Sequence, residues 1–372
     1  MRVGILGASG YAGGEFLRLA LGHPGLEVGQ VTSREYAGQP VHIVHPNLRG
    51  VTGLRFCRPE ELEPVDVLVS ALPHGGLAER VDDYLPLARR ALIDLSDDFR
   101  LRSAGAYGAF HSRPHPRPDL LGTFIYGNPE LHRAELVDAA SVPAAVGAAA
   151  RADGLSDLIE GAVPGGPVRI AGAGCIATAT ILALHPLVVA GVLNVERDVI
   201  ADAKIGSSAA GKDVSLASHH PERSGAVRTY APTGHRHQAE IAQELAGGPT
   251  VHLSATAVER VRGVLVAAHA FVREGVGEPE VLEAFRRAYD AEPFVRLVRA
   301  RRGVHRVPDP RILDGTNYCD VGFAFDELTG RVVALAALDN LVKGTAGHAV
   351  QALNLALGFP EATGLGFTGL HP

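Results

Sequence analysis

The sequence has no tryptophan, one methionine and three lysines (Lys204, Lys212, Lys343) beside 32 arginines. So one-sided a use of arginine reads first as codon bias, and it lends no single arginine special weight. Cysteine is nearly as scarce: Cys57, Cys175 and Cys319 cannot all pair, and their wide spacing fits neither a disulfide framework nor a zinc ribbon. A reducing, cytoplasmic setting is expected. Excess positive charge is also missing, with 35 basic against 41 acidic residues and a net charge of -6. No basic tract stands out, so no nucleic-acid partner is expected. The start, MRVGILGASGYAGG, puts glycines where a secretory signal would carry a long apolar run. The longest uncharged stretch, residues 170–195, is broken by Gly172, Gly174, Thr178, Thr180, His185, Pro186 and Gly191. It predicts a buried strand, turn and helix, with no membrane span.

What remains is ordinary globular material: 372 residues, 46% hydrophobic and 20% charged, enough for about two domains. Over residues 1 to about 140, short apolar runs (3–6, 26–31, 65–72, 91–95) alternate with amphipathic segments (14–21, 76–89). That rhythm predicts an α/β, Rossmann-type sheet with its ligand crevice at the C-terminal strand ends. Residues 138–168 are rich in Ala, Gly and Pro and read as an insertion or surface loop. Beyond residue 170, consecutive strands dominate (197–205, 250–258, 263–271, 320–325, 331–338), with a helix at 279–290, as in an α+β domain. A last helix is predicted at 341–357, stopped by Gly358 and Pro360. The division expected is 1–168 for cofactor, 169–339 for catalysis and oligomerisation, and 340–372 returning to the first domain.

Gly7, Gly10 and Gly13 form G-x-x-G-x-x-G after an apolar strand and before a helix. Glycines let the backbone approach a pyrophosphate, which the helix N-terminus favours. Gly7, Ser9, Gly10, Tyr11, Ala12 and Gly13 are the candidate cofactor contacts. At the end of the second strand Ser33, Arg34 and Glu35 follow. A hydroxyl and a guanidinium suit a 2'-phosphate, so NADP(H) is expected over NAD(H). Cys175 opens an apolar helix after a short strand (168–171), where the helix dipole favours a thiolate nucleophile. His235 and His237, in a turn before a helix, are the candidate proton donors. With His219 and His220 they could instead form a metal set, but their spacing matches no common zinc site and no metal is expected.

These motifs resemble the N-acetyl-gamma-glutamyl-phosphate reductase family, relatives of aspartate-semialdehyde dehydrogenase, over nearly the whole chain. The resemblance rests on GASGYAGGE (7–15), DLSDDFRL (94–101), Gly174-Cys175, GHRHQAEI (234–241) and DNLVKGTAGHAVQALN (339–354). Ile176-Ala177 stands where the arginine-pathway turn has Tyr-Pro. Together with VHPNLRG (44–50) and ASHHPERSG (217–225), it is closer to the carrier-protein-linked 6-phospho-L-2-aminoadipate reductases of lysine biosynthesis. Within that branch an Asn is common at 176, and Ile176 departs from it.

The resemblance implies a semialdehyde dehydrogenase-type fold with a dimerisation and catalytic domain. It implies that Cys175 forms a thioester with loss of phosphate, that hydride from NADPH gives the aldehyde, and that His235 or His237 supplies the proton. Asn340 would be a second cofactor contact, or a helix N-cap. Ser96, Arg100, Ser207, Ser208 and Arg236 are candidate phosphate contacts. A small acidic amino-group carrier protein bearing the substrate would be the partner, and the enzyme a homo-oligomer, tetramer or dimer. The rival readings are the arginine-pathway reductase, dual use, and a catalytically silent NADP-binding sensor.

Overall fold

The structure, a computed structural model, describes residues 1–111, 113–145 and 166–371. It divides into two compact units: Met1–Gly108, Arg113–Ala173 and Thr345–Gly366 form the first; Ala109–Ser112, Gly174–Gly344 and Phe367–Pro372 form the second.

The first unit runs β1 (Arg2–Leu6), α1 (Tyr11–Leu21), β2 (Glu27–Thr32), β3 (Phe56–Cys57), β4 (Val65–Ser70), α2 (Val81–Tyr84), β5 (Ala88–Asp94), α3 (Ala104–Phe110), β6 (Ile125–Tyr126), α4 (Pro129–Ala145) and β7 (Val168–Ala171). Its strands are all parallel, in the order β3-β2-β1-β4-β5-β7-β6. Direction of winding reverses between β1 and β4, which makes the end of β1 the switch point where such sheets bind ligands. The inner strands read as continuous buried runs because helices cover both faces of a parallel sheet. Leu6, Leu68, Leu77, Val81, Leu92 and Phe99 share one core, and Phe99 stacks on Phe124 at 4.2 Å. Each such side chain contributes about 1.5–3 kcal/mol of burial.

The second unit runs α5 (Cys175–Val189), β8 (Val199–Ile205), α6 (His220–Arg223), β9 (Arg228–Ala231), α7 (His237–Glu244), β10 (Val251–Ala257), β11 (Val264–Phe271), α8 (Glu278–Tyr289), β12 (Val295–Leu297), β13 (Cys319–Asp326) and β14 (Arg331–Leu338). Its sheet is mixed, ordered β12-β13-β14-β11-β8-β10-β9. Here β8 and β11 alternate, one residue buried and the next not, because α5 packs on one face only. Ile200, on the other face, is 50% exposed. Thr178 and Thr180 return their hydroxyls to Gly174 and Ile176 carbonyls inside the largely apolar α5 (3.0 and 2.8 Å), so neither hydroxyl is stranded.

α9 (Gly347–Ala356) belongs to the first unit, where Gln351 donates to Glu130 (3.0 Å) and Asn354 pairs with His23 (2.9 Å). Three expectations need correction. The helix drawn over 76–89 is broken into single turns around Pro86, and β5 already begins at Ala88. The helix drawn over 341–357 opens with a wide turn, Val342–Ala346, in which Gly344 donates to the Asp339 carbonyl (2.9 Å) five residues back. The loop drawn from 138 is still helix through Ala145, and residues 146–165 lie outside the described residues. Among the described residues no helix is long and apolar enough to cross a membrane.

Candidate active site

Two strand-to-helix turns carry the candidate chemistry. In the first unit, β1 ends at Gly7, whose φ of +71° and missing Cβ are both needed, since a Cβ would lie 2.6 Å from the Ala71 carbonyl. Gly13 is needed for the same reason, 2.6 Å from the Gly7 carbonyl. Gly10 is different: a Cβ there would meet only ordinary contact at 3.6 Å. The protein's own packing does not require it. Gly10 caps α1 without a side-chain hydrogen bond, and the first turn, Tyr11 and Ala12 included, has no acidic residue. An uncapped helix start beside glycine is what a pyrophosphate needs, and these residues fit a dinucleotide.

The neighbouring strand end holds the loop: Thr32 accepts the Gly7 N–H on its hydroxyl (3.2 Å) and the Ala8 N–H on its carbonyl (3.1 Å). Ser33 is buried and caps Tyr36 N–H (3.2 Å), while Arg34 reaches out to Glu60 (2.9 Å) and Glu35 is exposed. Ser9 lies half-buried in the loop itself.

In the second unit Cys175 is the first residue of α5, after the N-cap Gly174. The Gly174 N–H donates to Glu240 Oε2 (2.9 Å), a carboxylate only 2% exposed. A Cβ on Gly174 would lie 2.5 Å from His237 Nε2 and 2.7 Å from Glu240 Oε1. The imidazole and the carboxylate therefore close directly on the turn that carries the thiol, with His237 Nε2 3.8 Å from Glu240 Oε1. His237 opens α7 and is buried.

His235 packs edge-on against His237 at 4.6 Å, and its Nδ1 accepts the His237 N–H (3.1 Å). Burial, and then the Arg236 charge, push His235 down to about 4, so it is neutral at physiological pH with its proton on Nε2, facing the Tyr230 hydroxyl at 3.3 Å. The Tyr230 ring is half exposed, yet desolvation and then the neighbouring Cys175 charge push its phenol up to about 12. Arg236 is exposed beside them.

The remaining candidates fall into separate groups. In the first unit Ser96 is held by Asp94 (2.8 Å), and Arg100 donates to the Gly172 and Leu95 carbonyls (2.7 and 3.2 Å), so both shape the loop after β5. Asp94, fully buried and beside Asp98, is pushed up to about 7. In the second unit Ser207 and Ser208 form a one-turn helix after β8. Ser208 gives its hydroxyl to Val261 (2.6 Å) and accepts from Asn340 (2.9 Å). Asn340 Oδ1 also takes the Gly263 N–H (2.7 Å). At the start of the wide turn Asp339 accepts the Leu341 N–H (2.8 Å). His219 caps and His220 opens the exposed α6. Among the described residues the metal-like group is His74, Asp97 and Asp98, and Asp98 is already spent on the Gly75 and Ala78 N–H groups.

Sequence reasoning passed over Glu240, Gly344 and a basic loop. A Cβ on Gly344 would lie 2.6 Å from the Cys175 Cβ, so this glycine is what lets the wide turn press on Cys175. Residues 296–311 hold six arginines and one aspartate. Arg299, Arg301, Arg302, Arg306 and Arg311 are exposed, and none of them makes an ion pair among the described residues. The loop ends on Pro310, against Gly263, and borders an open groove of about 230 Å³ lined by Arg296, His305 and residues 368–371. Its signal in the sequence is six arginines against one aspartate within sixteen positions.

Two family models match: semialdehyde dehydrogenase, NAD binding domain, over residues 2–139, and semialdehyde dehydrogenase, dimerisation domain, over residues 175–340. A Deinococcus radiodurans protein named LysW-L-2-aminoadipate 6-phosphate reductase is 51% identical, covering 100% of this chain and 98% of its own. A Saccharolobus solfataricus protein named LysW-L-2-aminoadipate/LysW-L-glutamate phosphate reductase is 39% identical, covering 100% and 99%. Among solved structures, aspartate semialdehyde dehydrogenase with NADP from Candida albicans aligns with a TM-score of 0.67 at 15% identity, covering 95% of this chain and 97% of that one. Aspartate semialdehyde dehydrogenase II from Vibrio cholerae aligns at 0.66 and 15%, covering 96% and 98%. At that identity the structures share the fold alone.

Proposed function

The chain belongs to the semialdehyde dehydrogenase family, and from that premise we propose that it is an NADPH-dependent reductase of a carrier-linked 6-phospho-L-2-aminoadipyl group in lysine biosynthesis. The observation that carries the reading is the closure of His237 and Glu240 on the Gly174-Cys175 turn. The helix start favours a Cys175 thiolate, which attacks the acyl carbon; the C–O bond to phosphate breaks and phosphate leaves with the electron pair. A dinucleotide held at the glycine loop would supply the hydride that reduces the resulting thioester. The alkoxide then collapses to the aldehyde, and the departing sulfur takes up a proton held by His237.

His237 is favoured over His235 because His235 stays neutral to about pH 4 and has its Nδ1 committed to a backbone N–H. Glu240, with its Oε1 3.8 Å from His237 Nε2, helps place the imidazole on the turn. Asn340, tied to Ser208 and Gly263, is read as a second cofactor contact by resemblance. NADP(H) is preferred to NAD(H) through Ser33 and Arg34, the latter exchanging Glu60 for a 2'-phosphate. A carrier-borne substrate needs a surface for an acidic protein, and the unpaired arginines of residues 296–311 support that reading. The dimerisation-domain match and the half-open sheet face support a homo-oligomer.

The dual name of the Saccharolobus relative favours a second reading in which glutamyl phosphate is also used, since one methylene discriminates by only about 1–3 kcal/mol. Phosphate-dependent reduction of NADP+ by purified enzyme tests both. Carrier-bound aminoadipate semialdehyde is expected to react faster than free N-acetyl-glutamate semialdehyde. Activity with the free aldehyde alone would assign the chain to arginine biosynthesis, and activity with neither would overturn the proposal.

A further inference from the structure

The segment VHPNLRG, residues 44–50, has no part in the reaction proposed above, yet it reaches the glycine loop of the first unit. His45 Nε2 lies 2.8 Å from the Ala8 carbonyl, 37 residues away in sequence. Its ring fills the place a Cβ on Gly14 would occupy, with Nδ1 only 2.6 Å from that point, and it tilts against buried Phe56 at 6.4 Å. Gly14 is not one of the three glycines of the dinucleotide pattern. Its missing side chain is explained by His45, which needs that space to reach Ala8. The imidazole is thus wedged between the first turn of α1 and Phe56 of β3, and buried Val41 and Leu48 anchor the segment that carries it.

The consequence follows from the planarity of the peptide. In a trans peptide a carbonyl and the next N–H lie in one plane and point in opposite directions. Fixing the Ala8 carbonyl on His45 therefore fixes the Ser9 N–H toward the opposite side. Ala8 N–H is itself fixed on Thr32, so the residue is held at both ends. A loop that binds an anion must turn N–H groups toward it, and a flipped Ala8-Ser9 peptide would present a carbonyl dipole that repels phosphate.

We propose that His45 is a positioning residue for dinucleotide binding: by holding the Ala8 carbonyl, it keeps the Ala8-Ser9 peptide in the orientation that receives the pyrophosphate. This rests on reading the glycine loop as the dinucleotide site. Titration of the full-length protein with NADPH, followed by nucleotide fluorescence, tests it.

His45→Phe keeps a ring against Gly14 and removes the donor. It is expected to bind NADPH about tenfold more weakly, the scale of one hydrogen bond. Its KM for NADPH should rise in step while its KM for the acyl substrate does not, a split that mere loosening of the fold would not produce. His45→Gln, which restores an N–H, is expected to recover most of the affinity. Gly14→Ala should displace the ring and weaken binding equally, and combined with His45→Ala it should cost no more than either change alone.

NADPH affinity unchanged in both His45→Phe and Gly14→Ala would overturn the proposal even if the wild type binds tightly. Failure of the wild type to bind NADPH would remove the dinucleotide reading, and this one with it. Should His45→Phe not fold, Gly14→Ala and His45→Gln decide the matter.

Discussion

The glycine loop after β1 and the cysteine turn after β7 share one local design, a strand that ends on glycine and enters a helix, and the protein finishes the two differently. At Gly10 the helix start is left without a side-chain cap and with room for a Cβ. At Gly174 the same position is closed by a carboxylate on its N–H and an imidazole against its Cα. An open helix N-terminus suits an external anion, whereas the one supplied with Glu240 is already closed around Cys175 and His237. What surrounds the turn decides its chemistry; the glycine pattern alone does not.

That contrast can be broken most severely at Cys175, the proposed nucleophile. Cys175→Ala is expected to lower phosphate-dependent turnover by about a thousandfold or more while NADPH affinity stays within a few-fold of wild type. His237→Asn should cost on the order of a hundredfold in kcat, the scale of general acid catalysis, and His235→Gln only a few-fold. Because His235 is neutral down to about pH 4, any ionisation seen in kcat between pH 5 and 8 must survive His235→Gln. Its disappearance in that variant would transfer the role to His235.

The two glycines give a finer comparison. Gly174→Ala forces a Cβ into His237 and Glu240 and is expected to lower kcat by roughly a hundredfold through misplacement of the pair. Gly10→Ala has room within the protein, so its melting temperature should hardly move while NADPH binding weakens by about tenfold. The smallest effect concerns stability in the first unit. His23 is buried, with Nδ1 accepting Gly25 N–H (3.1 Å) and Nε2 on Asn354, and burial lowers its pKa below 6.5. A depressed pKa means that the unfolded chain binds the proton more readily. The contribution of His23 is therefore complete above pH 6.5 and lost as pH falls. Melting temperature should decline on acidification below that point, and less steeply in His23→Gln.

Much of this was legible in the sequence. Strand β7 and strand β14 fall where apolar runs bounded by turn residues put them, and the helix opening at Cys175 was visible as an apolar run after a glycine. Glu240 was not, although it lies within the quoted motif at 234–241: a glutamate on a short helix looks like solvated charge until Gly174, 66 residues earlier, is found on it. Gly344 was hidden in the same way, since only the fold brings it to Cys175. Short edge strands such as β9 and β12 carry too few residues to show a period. The amphipathic pattern over 76–89 suggested one helix where Pro86 allows only single turns, a case of local chemistry overruling periodicity.

The central claim is that Cys175 carries the acyl group. It is tested most directly by incubating the enzyme with the carrier-linked acyl phosphate in the absence of dinucleotide and mapping the product by peptide mass spectrometry. The account predicts an acyl adduct on the Cys175 peptide, formed with release of phosphate and discharged as aldehyde when NADPH is added. An adduct elsewhere, or aldehyde formation that persists in Cys175→Ala, would contradict it.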